Sequence, residues 1–197
     1  MDTESVAISV GLPPESSGKI AAMYFDIFSR KLSAVLGRRA AVALIADHIS
    51  ADRIIVAFDG EEIAGIAGLK YDGIGFFAPD RREFLKRYGP VVGRVRSGLW
   101  ESVQTKPRSH QLLLDGLGVQ ADLRGRGIGN ALLKAVDQRA RELDKTEVIL
   151  EVVDTNPRAK ALYERFGYRT VLTTRRWMFR FAGFSSAHLM LHRLTDG

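Results

Sequence analysis

The spacing of apolar positions along this chain changes period several times, and each change marks an element. From Ser17 to Leu36 the residues Ile20, Tyr24, Ile27, Phe28, Leu32 and Val35 recur at helical intervals, which predicts a helix with one buried face. Gly37 is a stop signal, and a second, shorter helix is expected over Arg39–His48. Ahead of these, VAISVG (Val6 to Gly11) reads as a short strand. After them, RIIVAFD and EIAGIAGLKYD read as the two strands of a hairpin turning at Gly60. The second half continues with a strand QLLLDGLGV, a helix from about Gly127 to Leu143 and a strand EVILEVV. A helix PRAKALYERFG and two last strands, YRTVLTTRRWMF and SAHLMLHRL, complete it. Strand, helix, strand, helix is the grammar of a largely buried sheet with a right-handed crossover.

One stretch departs from this alternation. Between Gly73 and His110 the pattern gives a loop, GIGFFAPDRR, and two short helices, RREFLKRYG and VVGRVRSGLWESVQ. Arg81, Arg82, Lys86, Arg87, Arg94, Arg96, Lys106 and Arg108 stand there against Asp80, Glu83 and Glu101, so much of the chain's positive excess is local. We read residues 1–197 as a single α/β domain in which 73–110 is a basic, helical insertion.

Charge and composition narrow the chemistry. A formal net charge of +6 fits a polyanionic ligand or a plain solvated surface. The basic insertion hints at an acidic or phosphate-bearing substrate, or at a protein with an acidic face, and a solvated helix surface explains it equally well. It lacks interleaved aromatics in a nucleic-acid motif, so no nucleic-acid partner is expected. The chain has no cysteine, which excludes disulfides, thiolate nucleophiles and cysteine metal sites. His188 and His192 lie four apart in a strand and share a face, but no third ligand supports a metal site. Trp100 and Trp177 are expected in packing. The acidic start MDTESV has no apolar h-region, and no apolar run is long enough to span a bilayer, so the expectation is a cytoplasmic protein without a membrane partner.

The most informative stretch is RGRGIGNALL, Arg124 to Leu133. Glycine is costly inside a helix, yet three glycines open this one. The first amides of a helix lack internal partners and carry the positive end of its dipole, so bare glycines there let an anion reach the N–H groups. A diphosphate, which spans several amides, suits such a turn, and Arg124 and Arg126 add paired donors. Tight packing of helix on sheet is the alternative reading of the glycines. GLGVQA (Gly116 to Ala121) matches a dinucleotide fingerprint, but no helix starts inside it.

Further candidates follow from residue type and place. Asn156 before Pro157 is a strong helix start. Tyr163 lies on a stripe with Ala159, Leu162 and Phe166, which reads as core by spacing alone. Glu151 interrupts VILEVV, where a buried carboxylate needs a hydrogen bond, water or an arginine partner; as a functional group it is a candidate general base. Asp115, two residues before Leu117, is expected on the same strand face and is a second candidate base.

With these residues in view, LGVQADLRGRGIGNALL resembles the acyl-CoA motif of the GNAT acetyltransferase superfamily. Val119, then Arg124 five residues on, with Gly127 and Gly129, fills that pattern. LEVVDTNPRAKALYERFGY, Leu150 to Tyr168, resembles its second signature and is similar to ribosomal-protein alanine acetyltransferases. Ala121 departs from a proline often seen near that position. The resemblance implies an α/β (α+β) GNAT fold: a mixed central sheet of about seven strands, splayed between the fourth and fifth and flanked by helices, with the insertion between the third and fourth. It implies acetyl-CoA as cosubstrate, with its diphosphate on Arg124, Gly125, Arg126, Gly127, Ile128 and Gly129. The stretch Leu117, Gly118 and Val119 would offer main-chain groups to the thioester and pantetheine arm, and Asn156 a side-chain contact. Tyr163, seven residues after Asn156, would be the general acid, and Glu151 or Asp115 the base. The implied reaction is direct transfer of an acetyl group to a primary amine of a small molecule or a protein. An acyl-CoA-binding sensor without transfer activity is the alternative, and a homodimer is left open.

Overall fold

A computed structural model describes residues 6–11, 13, 16–36, 38–102, 104–175 and 183–194, with backbone alone for 28–35 and 38–40. Gly37, Trp177, the end of the YRTVLTTRRWMF stretch and the side chains of Phe28, Leu32 and Val35 lie outside what is described. In chain order the elements are β1 (Ala7–Val10), α1 (Ser17–Leu36), α2 (Arg38–Asp47), β2 (Ile54–Asp59), β3 (Glu62–Tyr71) and β4 (Ile74–Gly75). Then follow α3 (Arg81–Tyr88), α4 (Pro90–Ser102), β5 (Gln111–Val119), α5 (Ile128–Glu142), β6 (Glu147–Val153), α6 (Pro157–Phe166), β7 (Arg169–Arg175) and β8 (Ser186–Arg193). The architecture is the mixed α/β sheet expected. The two-residue β4, which pairs with β3, raises the strand number to eight, so the expected fourth and fifth strands are β5 and β6.

The strands run in the order β1-β2-β3-β5-β6-β8-β7. Every neighbouring pair is antiparallel except β5 and β6, which are parallel and joined by the α5 crossover. Helices cover both faces. On one, α5 and α6 pack Ile128, Leu132, Leu133, Val136 and Tyr163 onto Leu112, Leu114, Val148, Leu150 and Val152. On the other, α1 and α2 bring Ile20, Tyr24, Phe25, Leu44 and Ile45 against Ile54, Val56 and Ile66. Both cores are dry and apolar, which at roughly 25 cal/mol per Å² of buried apolar surface is the main force holding the helices to the sheet.

The insertion is anchored to the second core. Phe76, Phe77 and Phe84 are buried with it, and Trp100 packs edge-on to Phe77 at 5.1 Å, as the packing expectation had it. Asp80 caps α3 by accepting from the Glu83 amide at 2.9 Å. Its basic residues are largely engaged locally. Arg87 pairs with Asp47 of α2 at 2.9 Å, and the Arg96 guanidinium lies 4.7 Å above the Tyr88 ring.

The α3–α4 contact depends on Gly93. A Cβ there would stand 2.5 Å from the Phe84 carbonyl oxygen and 2.8 Å from the Leu85 Cα, both backbone atoms that cannot swing aside. Gly93→Ala should therefore pry the two helices apart and cost about 1–3 kcal/mol, as overpacking does. Urea unfolding would measure this, and an unchanged midpoint would refute the close contact.

Candidate active site

The centre of the sheet forks. β5 and β6 pair from Gln111 with Glu147 to Leu114 with Leu150, and there the ladder ends although both strands continue. The cause is local to β5. In its ladder with β3, Leu69 faces Leu114 and Gly68 faces Gly116, so Asp115 is an extra residue, a β-bulge. Bulges bend a strand and increase its twist, which carries β5 away from β6. Gly116 completes the bulge at φ 151, a backbone conformation that side-chain-bearing residues rarely adopt.

The bulge also corrects one expectation. Leu112 and Leu114 before it, and Leu117 and Val119 after it, all pack toward α5. The alternation has slipped by one residue, so Asp115 does not share the Leu117 face. It stands toward α1, where its charge helps raise the Tyr24 phenol well above the ordinary tyrosine range, after the larger effect of burial. The Tyr24 hydroxyl donates to the Asp115 main-chain oxygen at 3.3 Å. Gly118 has a packing role of its own, because Ile27 of α1 lies where a Cβ would be.

Glu151 is the first residue of β6 beyond the fork, as Asp115 is of β5. Val148, Leu150 and Val152 face α5, so Glu151 faces the other side, with Asp115. The expectation of a carboxylate enclosed within a buried strand is not met: Glu151 is exposed, and its partner is Thr105, whose hydroxyl donates to Oε1 at 2.7 Å. Exposure at the fork removes the desolvation cost that burial would have imposed.

The α5 face of the fork carries the other groups. Gly127 caps α5 in the left-handed conformation, φ 84, with no side-chain cap. The first helical bond runs from the Ala131 amide to the Gly127 oxygen at 3.1 Å, so the Ile128, Gly129 and Asn130 amides have no carbonyl of their own helix to bind. Gly125 also has positive φ, and both it and Gly127 face open space, whereas a Cβ on Gly129 would press on Leu162 of α6 at 3.1 Å. Gly125 and Gly127 thus leave the helix start open to approach, while Gly129 serves the close packing of α5 on α6. The Arg124 Nε donates to the Val119 oxygen at 3.2 Å, and Arg126 pairs with Asp59 at 2.7 Å. Glycine-opened amides at a helix start, with two guanidinium groups alongside, can hold a phosphate or diphosphate.

Asn156 caps α6 by accepting from the Ala159 amide at 3.2 Å, worth about 1 kcal/mol, and Pro157 follows at the first helical position. The cap uses Oδ1 and leaves the Nδ2 donors free for another partner. Tyr163, about two turns further on, is 7% exposed and packs its ring 5.8 Å from that of Tyr168. Burial pushes its phenol up to about 12, so it is neutral over any working pH. His192 sits against Asp137 of α5 at 3.2 Å, and His188 bonds Thr173 of β7 at 2.9 Å.

The sheet is forked at its centre, with a glycine-opened helix start on one face and carboxylates on the other, and the class of protein with this framework is an acyltransferase. The chain belongs to the acetyltransferase (GNAT) family, whose model matches residues 21–168. A thialysine N-epsilon-acetyltransferase from Sus scrofa is 31% identical over 121 residues, 58% of this chain and 71% of the relative. The ribosomal-protein-S18-alanine N-acetyltransferase from Escherichia coli superposes with a TM-score of 0.58 at 16% identity, covering 98% of this chain and 96% of that one. An acetyltransferase from Bacillus subtilis in complex with CoA gives 0.59 at 14% identity, covering 97% of this chain and all of that one. Among the described residues no helix is long and apolar enough to cross a membrane.

The Tyr163 shift has a measurable consequence. The folded state holds this proton more tightly than the unfolded chain, whose tyrosines titrate near 10. The unfolded chain therefore loses it first as pH rises, and stability falls from about pH 10 to about 12, by up to roughly 2–3 kcal/mol from this residue. Tyr163→Phe should flatten that slope by the same amount in urea unfolding at pH 9 and pH 12. Tyr24, also raised by burial, contributes equally to both proteins and cancels, and the upward shift of Tyr168, to which Tyr163 adds, shrinks in the variant and flattens the slope in the same direction.

Proposed function

We propose that this chain is an N-acetyltransferase that passes the acetyl group of acetyl-CoA directly to a primary amine of a small molecule or a protein. The observation that carries the reading is the parting of β5 from β6 after Leu114 and Leu150, with the amides of 125–130 on one face and Glu151 and Asp115 on the other. A thioester lying in that gap would meet a nucleophile from the carboxylate face and a proton donor from the α5–α6 face.

In this reading Arg124, Gly125, Arg126, Gly127, Ile128 and Gly129 hold the diphosphate, largely through main-chain amides. Leu117, Gly118 and Val119 offer main-chain groups to the pantetheine arm and the thioester carbonyl, and the Asn156 Nδ2 reaches the same arm. A main-chain N–H at the carbonyl stabilises the oxygen as negative charge develops, an effect worth a few kcal/mol. The amine attacks the carbonyl carbon, the carbon–sulfur bond breaks, and one proton leaves nitrogen while one arrives at sulfur. Glu151, or Asp115 on the facing strand, takes the first, directly or through water. Tyr163 meets the sulfur with its hydroxyl. A phenol held near 12 is a weak acid, so its larger contribution is a hydrogen bond to sulfur as charge develops there.

Carboxylates on the open acceptor side favour an acceptor that arrives as a cation and is deprotonated there. Several of the insertion's arginines, by contrast, are held by their own neighbours.

The test is a release-of-thiol assay with acetyl-CoA against amino acids, polyamines, aminoglycosides and peptide N-termini. At least one should be acetylated; cosubstrate binding with no thiol release on any amine would instead indicate a sensor. Tyr163→Phe should keep acetyl-CoA affinity within about two-fold and lower kcat by about 10²-fold or more, as for loss of an acid catalyst. Arg124→Ala combined with Gly127→Glu should abolish acetyl-CoA binding by calorimetry, and unchanged affinity would place the diphosphate elsewhere.

A further inference from the structure

The insertion returns to the sheet at residues 104 and 105, and both are tied down. The Gln104 Oε1 accepts from the ammonium of Lys70 at 2.8 Å, and Lys70, on β3, is 7% exposed. The Thr105 hydroxyl donates to the Glu151 Oε1 at 2.7 Å, and Glu151 is on β6. Since β5 lies between β3 and β6, two consecutive residues grip the two strands that flank it, a span of about 10 Å across two strand spacings. Lys70 pairs with Leu113, and Leu113 with Ile149, two residues before Glu151 on the same face. Both ties are thus on the α1 side of the sheet, and the segment crosses β5 as a strap close to the point where the fork begins.

This strap solves a problem that the fork creates. Beyond Leu150 the strand β6 has no neighbour on its β5 side, and an exposed glutamate there has several rotatable bonds and no packing to choose among its rotamers. Threonine is stiff about χ1, so a hydrogen bond from it transmits a fixed position. It occupies one carboxylate oxygen. Oε2 makes no hydrogen bond among the described residues and is left for a ligand.

We propose that Thr105 is a positioning residue for acetyl transfer: it holds Oε1 of Glu151 so that Oε2 meets the incoming amine. This rests on the reading of Glu151 as the base. It also gives the insertion a task at the site, since its last turn and the following strap fix the acceptor-side carboxylate.

Four variants of the full chain separate the possibilities. In a crystal structure of Thr105→Val the Glu151 carboxylate should spread over more than one rotamer while the tie from Lys70 to Gln104 persists; this needs no acceptor. With the amine that turns over fastest in the screen, Thr105→Val should lower kcat about ten-fold, as loss of a hydrogen bond to a charged group does, and leave the KM for acetyl-CoA within about two-fold. Thr105→Ser should restore kcat. Thr105→Ala reads the same loss should the valine variant fail to fold. If Glu151→Gln abolishes turnover but Thr105→Val keeps both the wild-type rotamer and kcat, the positioning role falls and the base survives. If Glu151→Gln is fully active, the base reading falls.

Discussion

Everything at this site depends on a parallel strand pair that stops pairing in the middle of the sheet. Opening a sheet at its centre is costly, because main-chain groups lose partners in a place water reaches poorly. The chain offsets part of that cost with side chains. Tyr24 binds the Asp115 oxygen, and Arg124 binds the Val119 oxygen. The bulge at Asp115 makes the separation a fixed feature of the fold, since its extra residue and the positive φ of Gly116 are built into the ladder with β3. What remains is a slot whose edges still carry unspent donors and acceptors, which is what a thioester arm requires of its host.

The same bulge sets which chemistry lies on which face. Asp115 follows Leu114 in plain alternation and faces α1, beside Glu151 across the fork; the one-residue slip then turns Leu117 and Val119 back toward α5, whereas an unbroken strand would have sent them to the α1 face with Asp115. In the proposed reaction, proton removal and proton donation occur on opposite faces, and this parity keeps the acidic groups away from the helix start that must attract phosphate. A carboxylate near those amides would compete for them. Asp59, at the rim, has its charge met by Arg126.

Much of this was legible in the chain itself, and the parts that were not share a physical reason. Helices α5 and α6 follow their periodicity closely, because each buries one continuous face, and the central strands read as apolar runs because helices cover both sides of them. The fork was expected only through family resemblance. Yet a glycine after an aspartate inside QLLLDGLGV is a local bulge signal, and taking that strand as unbroken put Asp115 on the wrong face. Glu151 was placed in the right strand with the wrong surroundings, since exposure beyond the last β5–β6 pair depends on a partner 36 residues away at Leu114. Thr105 and Asp59 carried no signal of a role, and Tyr24 only that of a buried helix face. Each acts through a contact between distant segments, which no spacing rule can reach.

The two faces of the fork are held by different kinds of force, and this bears on how such a site can vary. On the α5–α6 face Tyr163 stands in a continuous stack with Tyr168, Phe166 and His192, with ring centroids 5.1–6.1 Å apart. Beneath it the His192–Asp137 pair ties β8 to α5, and burial above all raises the Asp137 carboxyl from its ordinary range, against the pull of His192 and Arg141. Changing one member of such a packed, partly ionic layer disturbs the rest. On the opposite face, the carboxylate of Glu151 is held by one hydroxyl from a strap at the surface, and the strap belongs to an insertion anchored chiefly by its own aromatics. Surface loops tolerate change in length and sequence that packed layers do not. In the proposed reading, the half of the site that meets the thioester is locked into the core, and the half that meets the acceptor hangs on a surface segment; such an asymmetry would account for readable motifs clustering after Leu117 while the segment bordering the other side has none.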